Sequence, residues 1–440
     1  MSAVTPLADL YRQEYGRLVA VLLHRFGLAE VTTAEDIASD TFLRAAEVWG
    51  SKGLPPAPVP WLYRVAGQRA LDLLRRQATY RDKVAPTLDR TVATAEPPAL
   101  DFSEYAIRDD QLRTIFVLCH PALPTDTQVA LCLRLLCGFS VAEIAHAFLA
   151  APATITKRLS RGKAKLRTGD LRLDLPAPDR LPERLEAVLQ TLYLLFNEGY
   201  FSSGGDRVLR RRLCREALRL ALLLVELPAA DSPPTNGLLA LMCYQSSRFD
   251  ARTDEAGNAI PYDRQDRAAW SRPLIERGHF YLRRSGHDYR RIPHRFVLEA
   301  AIAAQHTRRD ASETRWPLVL SLYNRLLAVH YTPVSALNRT YAYGRVHGPA
   351  AALREALKIN LPEHAGYHLL LADLYRQLDD PQRRDHHYAR AAELSPSEAV
   401  RRAVTQLAFP PSSIPLAAEA HRPAGASEQR CSKPPARGTV

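Results

Sequence analysis

A strongly basic stretch in the first half of the chain has the composition of a helix that contacts phosphates. Between Pro152 and Arg167 it carries six basic residues and no acidic one. Three apolar residues at helical spacing supply a stripe for docking onto a partner helix: Ile155, Leu159 and Leu166. Four residues lie near the end that would enter a DNA major groove: Thr154, Thr156, Lys157 and Arg161. We therefore expect this stretch to bind DNA, the alternative being a solvated basic face.

A capped helix directly precedes the basic stretch and is expected to position it. Ser140 and Glu143 have the spacing of a capping box, in which the hydroxyl and the carboxylate each accept a backbone N–H. Pro152 suits the first position of the next helix, because the N–H that proline lacks has no helical partner there. Together they predict a helix-turn-helix. A second pair at capping-box spacing, Thr125 and Gln128, predicts the start of a supporting helix.

A second basic stretch follows the segment Gly50–Pro60, whose prolines and glycines predict a loop rather than a helix. From Trp61 to Lys83 arginine and lysine outnumber aspartate, and Trp61 and Tyr63 lie among these cations. Such a helix can hold backbone phosphates while its aromatic rings stack on unpaired bases. The alternative is that both rings belong to the core and that the arginines are only solvated.

The helix predicted from Thr33 to Trp49 has a different character. Its carboxylates lie in its first half, where the helix dipole favours them. It has more apolar residues than a narrow core stripe requires, which favours docking to another protein, although an amphipathic bundle helix is equally compatible. Before it, Leu7 to Phe26 has the periodicity of a long helix that Gly27 ends. After the second basic stretch, Val84–Pro98 is polar and predicts a flexible tether.

Length and composition limit the classes of protein to consider. The 440 residues allow about three domains, and 46% hydrophobic residues suffice for ordinary cores. The net charge of +12 favours an anionic partner. No apolar run reaches the ~20 residues of a membrane span, and the first residues lack the apolar core of a signal peptide. We therefore expect a cytoplasmic protein.

No group of residues in the sequence indicates catalysis, a metal or a cofactor. The six cysteines include no CxxC pair and are expected to be small buried hydrophobic residues. Cys119 beside His120 could be a metal or nucleophile pair, but nothing else supports one, and we interpret His120 as a helix-end residue. Because paired catalytic carboxylates, phosphate-binding glycine loops and metal spacings are missing, we expect the protein not to be an enzyme.

The second half of the chain is predicted to be helical, with no strand-like alternation of any length. Ala336–Ile359 and His368–Pro396 align as an approximate repeat with a period close to the ~34 residues of tetratricopeptide repeats. A concave helical array is usually a protein-docking surface, although a solenoid that only packs against the rest of the chain is an alternative. The predicted fold class is therefore all-α.

Three motifs in the first part of the chain resemble, in order and spacing, those of sigma-70 superfamily sigma factors, in their small extracytoplasmic-function group. Ala34–Trp49 resembles the signature helix that docks on the clamp of the RNA polymerase largest subunit. Trp61–Arg76 resembles the segment that opens and reads the −10 promoter element. Phe139–Arg167 resembles the helix-turn-helix that grips the −35 element. The resemblance implies a transcription initiation factor whose partners are core RNA polymerase and promoter DNA.

This resemblance assigns candidate residues to three sites. For the −35 element they are Thr154, Thr156, Lys157, Arg158, Ser160, Arg161 and Lys165. For the −10 element they are Trp61, Arg64, Gln68, Arg69, Asp72, Arg75 and Arg76. For core polymerase they are Asp36, Ile37, Asp40, Phe42, Leu43 and Arg44.

The resemblance also implies how the chain is divided. The expected units are a sigma region 2 domain (1–80), a flexible linker (81–108), a sigma region 4 domain (109–170), a helical extension (182–400) and a disordered tail (408–440). Three further runs resemble a subgroup with a tetratricopeptide-like C-terminal extension: Cys119–Pro124, Leu195–Tyr200 and Asp263–Trp270. That subgroup implies regulation through the extension, with a small YCII-like protein as a partner. From the residues alone, a free-standing helix-turn-helix regulator with a protein-interaction scaffold is the alternative.

Overall fold

The chain is described here from a computed structural model that covers residues 4–84, 102–148, 150–169, 171–200, 207–252, 260, 264–286, 293–308, 315–359 and 361–394. Within these ranges it forms seventeen α-helices and no strand, which confirms the all-α prediction. Each α-helix within these ranges is too short or too polar to span a bilayer. Most of the predicted tether and all of the predicted disordered tail lie outside the described residues.

Three helices form the first bundle: α1 (Val4–Phe26), α2 (Val31–Lys52) and α3 (Pro58–Val84). Gly27, with φ at 82°, ends α1 as predicted. The prediction that Gly50–Pro60 is entirely loop is wrong at both ends, because α2 runs on to Lys52 and α3 begins at Pro58. Prolines are tolerated there because the N–H groups of a first helical turn have no intrahelical partner.

Four helices form the second bundle: α4 (Glu104–Leu118), α5 (Thr125–Leu131), α6 (Val141–Ala147) and α7 (Pro152–Thr168). A π-helical segment, Cys132–Leu136, follows α5 directly. The Ser103 hydroxyl caps α4 by accepting the N–H of Ala106, so this helix starts inside the range predicted as linker. The predicted capping box at Thr125 is wrong, since Thr125 is already helical and the residue before it is Pro124.

Ten helices form the C-terminal extension: α8 (Leu181–Tyr200), α9 (Arg207–Leu224), α10 (Pro233–Ser246), α11 (Arg272–Arg284), α12 (Arg295–Gln305), α13 (Trp316–Val329), α14 (Pro333–His347), α15 (Pro349–Ile359), α16 (Ala365–Gln377) and α17 (Pro381–Leu394). From α12 onward each helix packs on the next one in the chain. The two predicted repeat copies correspond to α14 with α15 and to α16 with α17.

A single hydrophobic core connects the two bundles to the first part of the extension. It runs from Tyr15 in α1 through Phe116 in α4 and Phe196 in α8 to Phe296 in α12, all of them fully buried. Helices α13 to α17 instead have small separate clusters, such as the one around Leu370. Since burying one large apolar side chain contributes roughly 1.5–3 kcal/mol, the shared core fixes the bundles and α8 to α12 relative to one another.

Candidate nucleic-acid interface

Helix α7 is held on the second bundle by its apolar face and by one glycine. Ile155, Leu159 and Leu166 are buried, as the predicted stripe requires. A Cβ on Gly162 would lie 2.7 Å from Thr127 Cγ2 in α5, so the two helices are in close contact at this point. The opposite face of α7 is therefore the only one that remains for a ligand.

That opposite face is exposed and basic. Six of the seven residues predicted for the −35 element are exposed on it: Thr154, Thr156, Lys157, Ser160, Arg161 and Lys165. The seventh, Arg158, is half-buried, lies 3.2 Å from the Asp126 carboxylate and sits over the Phe148 ring. The structure thus brings these side chains together on one surface, with Arg158 at its edge.

The helix before α7 is capped as predicted and is also tied to the extension. The Glu143 N–H donates to the Ser140 hydroxyl at 3.1 Å, and the Ser140 N–H donates to the Glu143 carboxylate at 2.7 Å. The same carboxylate receives Arg212 of α9 at 3.1 Å. Arg212 also donates to the Cys137 carbonyl at 3.0 Å, and its guanidinium lies 4.0 Å from the centre of the Phe139 ring. An arginine of the extension therefore helps to position the helix-turn-helix.

Helix α3 presents a second exposed polar face. Arg64, Gln68, Asp72 and Arg75 lie three or four residues apart in turn, so they share one side of the helix, and all four are exposed, as is Arg76. Arg69 is half-exposed and forms an ion pair with Asp40 of α2. This pair joins residues that the sequence assigned to two different sites.

The two aromatic residues at the start of α3 have different surroundings. Trp61 is half-buried, and its ring centre lies 5.2 Å from that of Trp49. Tyr63 is buried, and its hydroxyl donates to the Glu14 carboxylate at 2.7 Å. Burial raises the pKa of Tyr63, and the Glu14 carboxylate raises it further. Tyr63 therefore belongs to the core, which was the alternative for both rings, whereas part of the Trp61 ring remains accessible to a ligand.

Helix α2 exposes only part of the predicted polymerase-binding set. Asp36, Asp40, Leu43 and Arg44 are exposed, and Leu43 shows 62% of its surface. Ile37 and Phe42, the other two residues of the set, are buried in this structure. Phe42 packs against the rings of Tyr11 and Tyr15, whose centres lie 4.9 Å and 6.4 Å from its own. The helical period turns Ile37 and Phe42 toward α1 while their neighbours face outward.

Sequence reasoning missed an ion cluster between the two bundles. Glu35 of α2 is buried, with 3% exposure, and Arg134 of the π-helical segment donates to it at 2.8 Å. Lys163 of α7 forms an ion pair with the same carboxylate. The only signal in the sequence was that Lys163 lies among the basic residues of α7, and nothing there pointed to Glu35 as its partner.

The described residues contain no group of three or more histidine, cysteine or acidic side chains that could hold a metal. Their five cysteines are buried and unpaired by disulfides, as expected for a set without CxxC motifs. His120 accepts the Ala122 N–H through Nδ1, and burial together with the Arg184 guanidinium lowers the pKa of its side chain. His120 thus caps a turn next to Cys119, which supports its interpretation as a helix-end residue.

Three family matches cover separate parts of the chain. Residues 10–80 match Sigma-70 region 2, and residues 113–166 match Sigma-70, region 4. The first range contains the exposed faces of α2 and α3, and the second contains the helix-turn-helix. Residues 184–286 match a family of unknown function, DUF6596, which falls within the extension.

Relatives are found both for most of the chain and for its first part. An uncharacterized protein of Rhizobium meliloti is 37% identical over 355 residues, covering 78% of this chain and 82% of its own length. The probable RNA polymerase sigma factor RfaY of Xanthomonas campestris is 30% identical over 162 residues, 36% of this chain and 40% of its own. The ECF RNA polymerase sigma factor SigX of Bacillus subtilis is 22% identical over 161 residues, 37% of this chain and 80% of its own. No solved structure matches significantly.

Proposed function

Because the chain belongs to the sigma-70 family of RNA polymerase sigma factors, we propose that it directs promoter-specific transcription initiation by binding core RNA polymerase and the −35 and −10 promoter elements. Sigma factors are DNA-binding initiation factors rather than enzymes, and core polymerase and promoter DNA are their partners. The observation that carries the proposal is that the two sigma regions contain the exposed faces of α2, α3 and α7.

The −35 contact is assigned to the exposed face of α7. Lys157, Arg161 and Lys165 lie four residues apart, so successive cations can follow the phosphates along a groove. Thr154 and Ser160 are short polar side chains on the same face and can reach base edges, where a good bidentate contact contributes about 1–3 kcal/mol of discrimination. Arg158 is proposed to contact a phosphate at the edge of this surface, because its ion pair with Asp126 holds the guanidinium there.

The −10 contact is assigned to the exposed face of α3. Arg64, Gln68 and Arg75 combine cations with an amide, a composition suited to phosphates and to unpaired bases. The accessible part of Trp61 supplies a ring on which a base can stack. Arg69, Asp72 and Arg76 complete the predicted set at the margins of this face.

Core polymerase binding is assigned to α2, through Asp36, Asp40, Leu43 and Arg44. An exposed leucine surrounded by charged residues is typical of a protein–protein contact with an apolar centre and a polar rim. Ile37 and Phe42 are not included in this set, because their side chains are buried in the core beneath α2.

The extension is proposed to modulate the activity of the two sigma regions. Its support is the set of contacts between the extension and the second bundle: Arg212 donates to Glu143 and Cys137, Arg219 to the Leu136 carbonyl at 3.1 Å, and Thr191 to Gln128 at 2.7 Å. A ligand that moves α8 or α9 would therefore move the helix-turn-helix. We further propose a cytoplasmic protein of the extracytoplasmic-function group, with a tetratricopeptide-like extension that docks a small YCII-like protein.

The proposal is tested by separating the two kinds of binding in the full chain. Leu43→Asp should abolish binding to purified core polymerase, because it places a charge on the exposed apolar residue of the α2 surface. It should leave affinity for random-sequence duplex DNA unchanged, because the proposed duplex contact is made by α7. Arg161→Ala should do the reverse. Lys358→Ala, on the exposed surface of α15, serves as the control and should change neither. Duplex binding without any polymerase binding by the unmodified chain would favour the free-standing regulator.

A further inference from the structure

Helix α11 of the extension presents an aromatic ring in the middle of its outer face. Phe280 shows 48% of its surface. A single exposed ring is common on protein surfaces, and the neighbours of this one are what distinguish it. Residues three or four positions apart adjoin on a helix, so Phe280 is surrounded by Arg277, Arg283 and Arg284, with Glu276 as the one acidic neighbour. All five are exposed, and together they are called the Phe280 surface.

Two arginines of the Phe280 surface are not neutralised by the rest of the fold. Arg284 forms an ion pair with the Asp231 carboxylate. In the part of the chain that the structure describes, Arg277 and Arg283 have no such partner. They stand three residues before and three residues after Phe280, about 9 Å apart along the axis at ~1.5 Å per residue. A guanidinium on each side of the ring is therefore available to an anionic ligand.

The opposite face of α11 is fixed against α10. Gly278 lies so close to Tyr244 that a Cβ would come within 2.6 Å of the Tyr244 ring. The Tyr244 hydroxyl and His279 Nδ1 are hydrogen-bonded at 2.7 Å. Tyr281 is buried, and its ring centre lies 5.1 Å from that of Phe280. The exposed ring is therefore presented outward by a helix that is held rigidly from below.

The composition of the Phe280 surface fits unpaired nucleic acid. A base can stack on the ring while the guanidinium groups beside it bind phosphates, and stacking of this kind tolerates any sequence. A membrane surface requires a broad apolar face, whereas Ile275 and Tyr281 of this helix are buried. An acidic protein partner is expected to cover a larger apolar centre than one ring.

We propose that the Phe280 surface is a binding site for single-stranded DNA, separate from the faces of α3 and α7. The choice of DNA over RNA rests on the proposed function, because opening a promoter creates unpaired DNA; the surface itself does not. Helix α11 lies within residues 184–286, the range that matches a family of unknown function. Since α8 to α12 share a core with the two bundles, DNA bound there keeps a fixed position relative to α7.

The site is mapped by photocrosslinking the full chain to an oligothymidylate of about twelve nucleotides, a length that one single-strand site can hold. A central thymine is replaced by 5-iodouracil, which on irradiation forms a covalent bond to a stacked aromatic ring. Cleavage after arginine and lysine isolates residues 278–283 of the unmodified chain for mass spectrometry. We expect a crosslink at Phe280, and its yield against protein concentration gives the dissociation constant of this site alone.

Two variants remove one cation each and keep the ring. Arg277→Ala and Arg283→Ala should each raise the dissociation constant at Phe280 roughly tenfold, because one charged contact with a phosphate is lost. Each should also lower the slope of log K against log salt by about 0.7, the value for one phosphate of a single strand. Circular dichroism checks that each variant is folded. Arg354→Ala, at an exposed position of α15, is the matched control and should change neither value.

The other outcomes are distinct from one another. No crosslink at Phe280, or an unchanged dissociation constant in both folded variants, overturns the proposal. Tighter binding of an oligouridylate RNA at this site overturns the choice of DNA. Competition by polyglutamate as effective as that by oligothymidylate indicates an acidic protein and also overturns the proposal. A crosslink at Phe280 in a chain that does not bind core polymerase supports the surface and contradicts the proposed function instead.

Discussion

Lys157 and Arg161 lie about one turn apart on the exposed face of α7. If both contact phosphates, replacing either by alanine should lower duplex affinity for all sequences alike. The slope of log K against log salt should fall by about 1 for each residue. The measurement is a titration of random-sequence duplex at several salt concentrations. An unchanged slope in both variants would contradict the assignment of α7 to DNA.

Phe42 and Leu43 are sequence neighbours with opposite surroundings. Phe42→Ala should lower the free energy of unfolding by about 3–5 kcal/mol, because it leaves a cavity against Tyr11 and Tyr15. Leu43→Ala should change it by less than about 0.5 kcal/mol, since surface substitutions are usually neutral. Chemical denaturation of the two variants provides the comparison. Equal losses of stability would contradict the burial of Phe42.

At the scale of single residues, the sequence has a limit. It predicts which helix carries a site more reliably than it predicts which residues of that helix form the site. The exposed positions of α7 follow from its apolar stripe, because Ile155 and Leu159 identify the buried side. For α2 the resemblance identified a helix without distinguishing its two sides, so the predicted set includes the buried Ile37 and Phe42 together with exposed residues. The ion-pair partners of Glu35 could not be predicted, because they lie 99 and 128 positions away from it in the chain.

The helix boundaries show which local sequence signals are sufficient to predict where a helix begins. The capping box of Ser140 and Glu143 forms as its spacing predicts. The same spacing at Thr125 and Gln128 fails, because Gln128 donates to the carbonyls of His120 and Leu123 and accepts from Thr191 of the extension. Tertiary partners there replace the local cap. The sequence alone cannot rank these competing hydrogen bonds.

Helices α16 and α17 are joined by a pair of histidines, which makes their packing sensitive to pH. His368 Nε2 donates to the Pro362 carbonyl at 3.0 Å, so His368 Nδ1 accepts from His387 Nδ1 at 2.9 Å. Burial, together with His368 and His386, lowers the pKa of His387 to about 4. Below about pH 6.5 the unfolded chain therefore binds more protons than the folded one.

The expected consequence is a loss of stability on acidification. The free energy of unfolding of this helix pair is at its full value above about pH 6.5 and falls as the pH drops toward about 4. Thermal unfolding at pH 7.5 and at pH 5 should show a drop in midpoint that is smaller in His387→Gln. His347→Gln, on an exposed position of α14, is the control and should keep the drop of the unmodified chain. The same drop in His387→Gln would contradict this explanation.

At the scale of the whole molecule, the first part of the extension, α8 to α12, shares one core with the two sigma bundles, which the sequence did not predict. The resemblance implied separate units, and each unit has enough apolar residues to pack its own helices. The contacts that join them, such as Arg184 with the Phe116 carbonyl, connect positions 68 residues apart. Periodicity describes one helix at a time and carries no information about such pairs.

Truncation after about residue 175 should therefore affect the sigma bundles directly. It removes Leu185, Leu189 and Leu192, which are buried in the common core. The remaining bundles should lose several kcal/mol of stability, since each such side chain contributes roughly 1.5–3 kcal/mol when buried. Transcription in cells should also change. A truncated chain with the unfolding midpoint and the transcription of the full chain would contradict a role for the extension.

The central claim is that this chain gives RNA polymerase its choice of promoter. The most direct measurement adds the purified full chain to purified core polymerase, with a pool of genomic DNA fragments as template, and maps the 5′ ends of the transcripts. We predict new start sites that share one upstream sequence pattern and that appear only when the chain is present. Start sites that are the same with and without the chain would contradict the account.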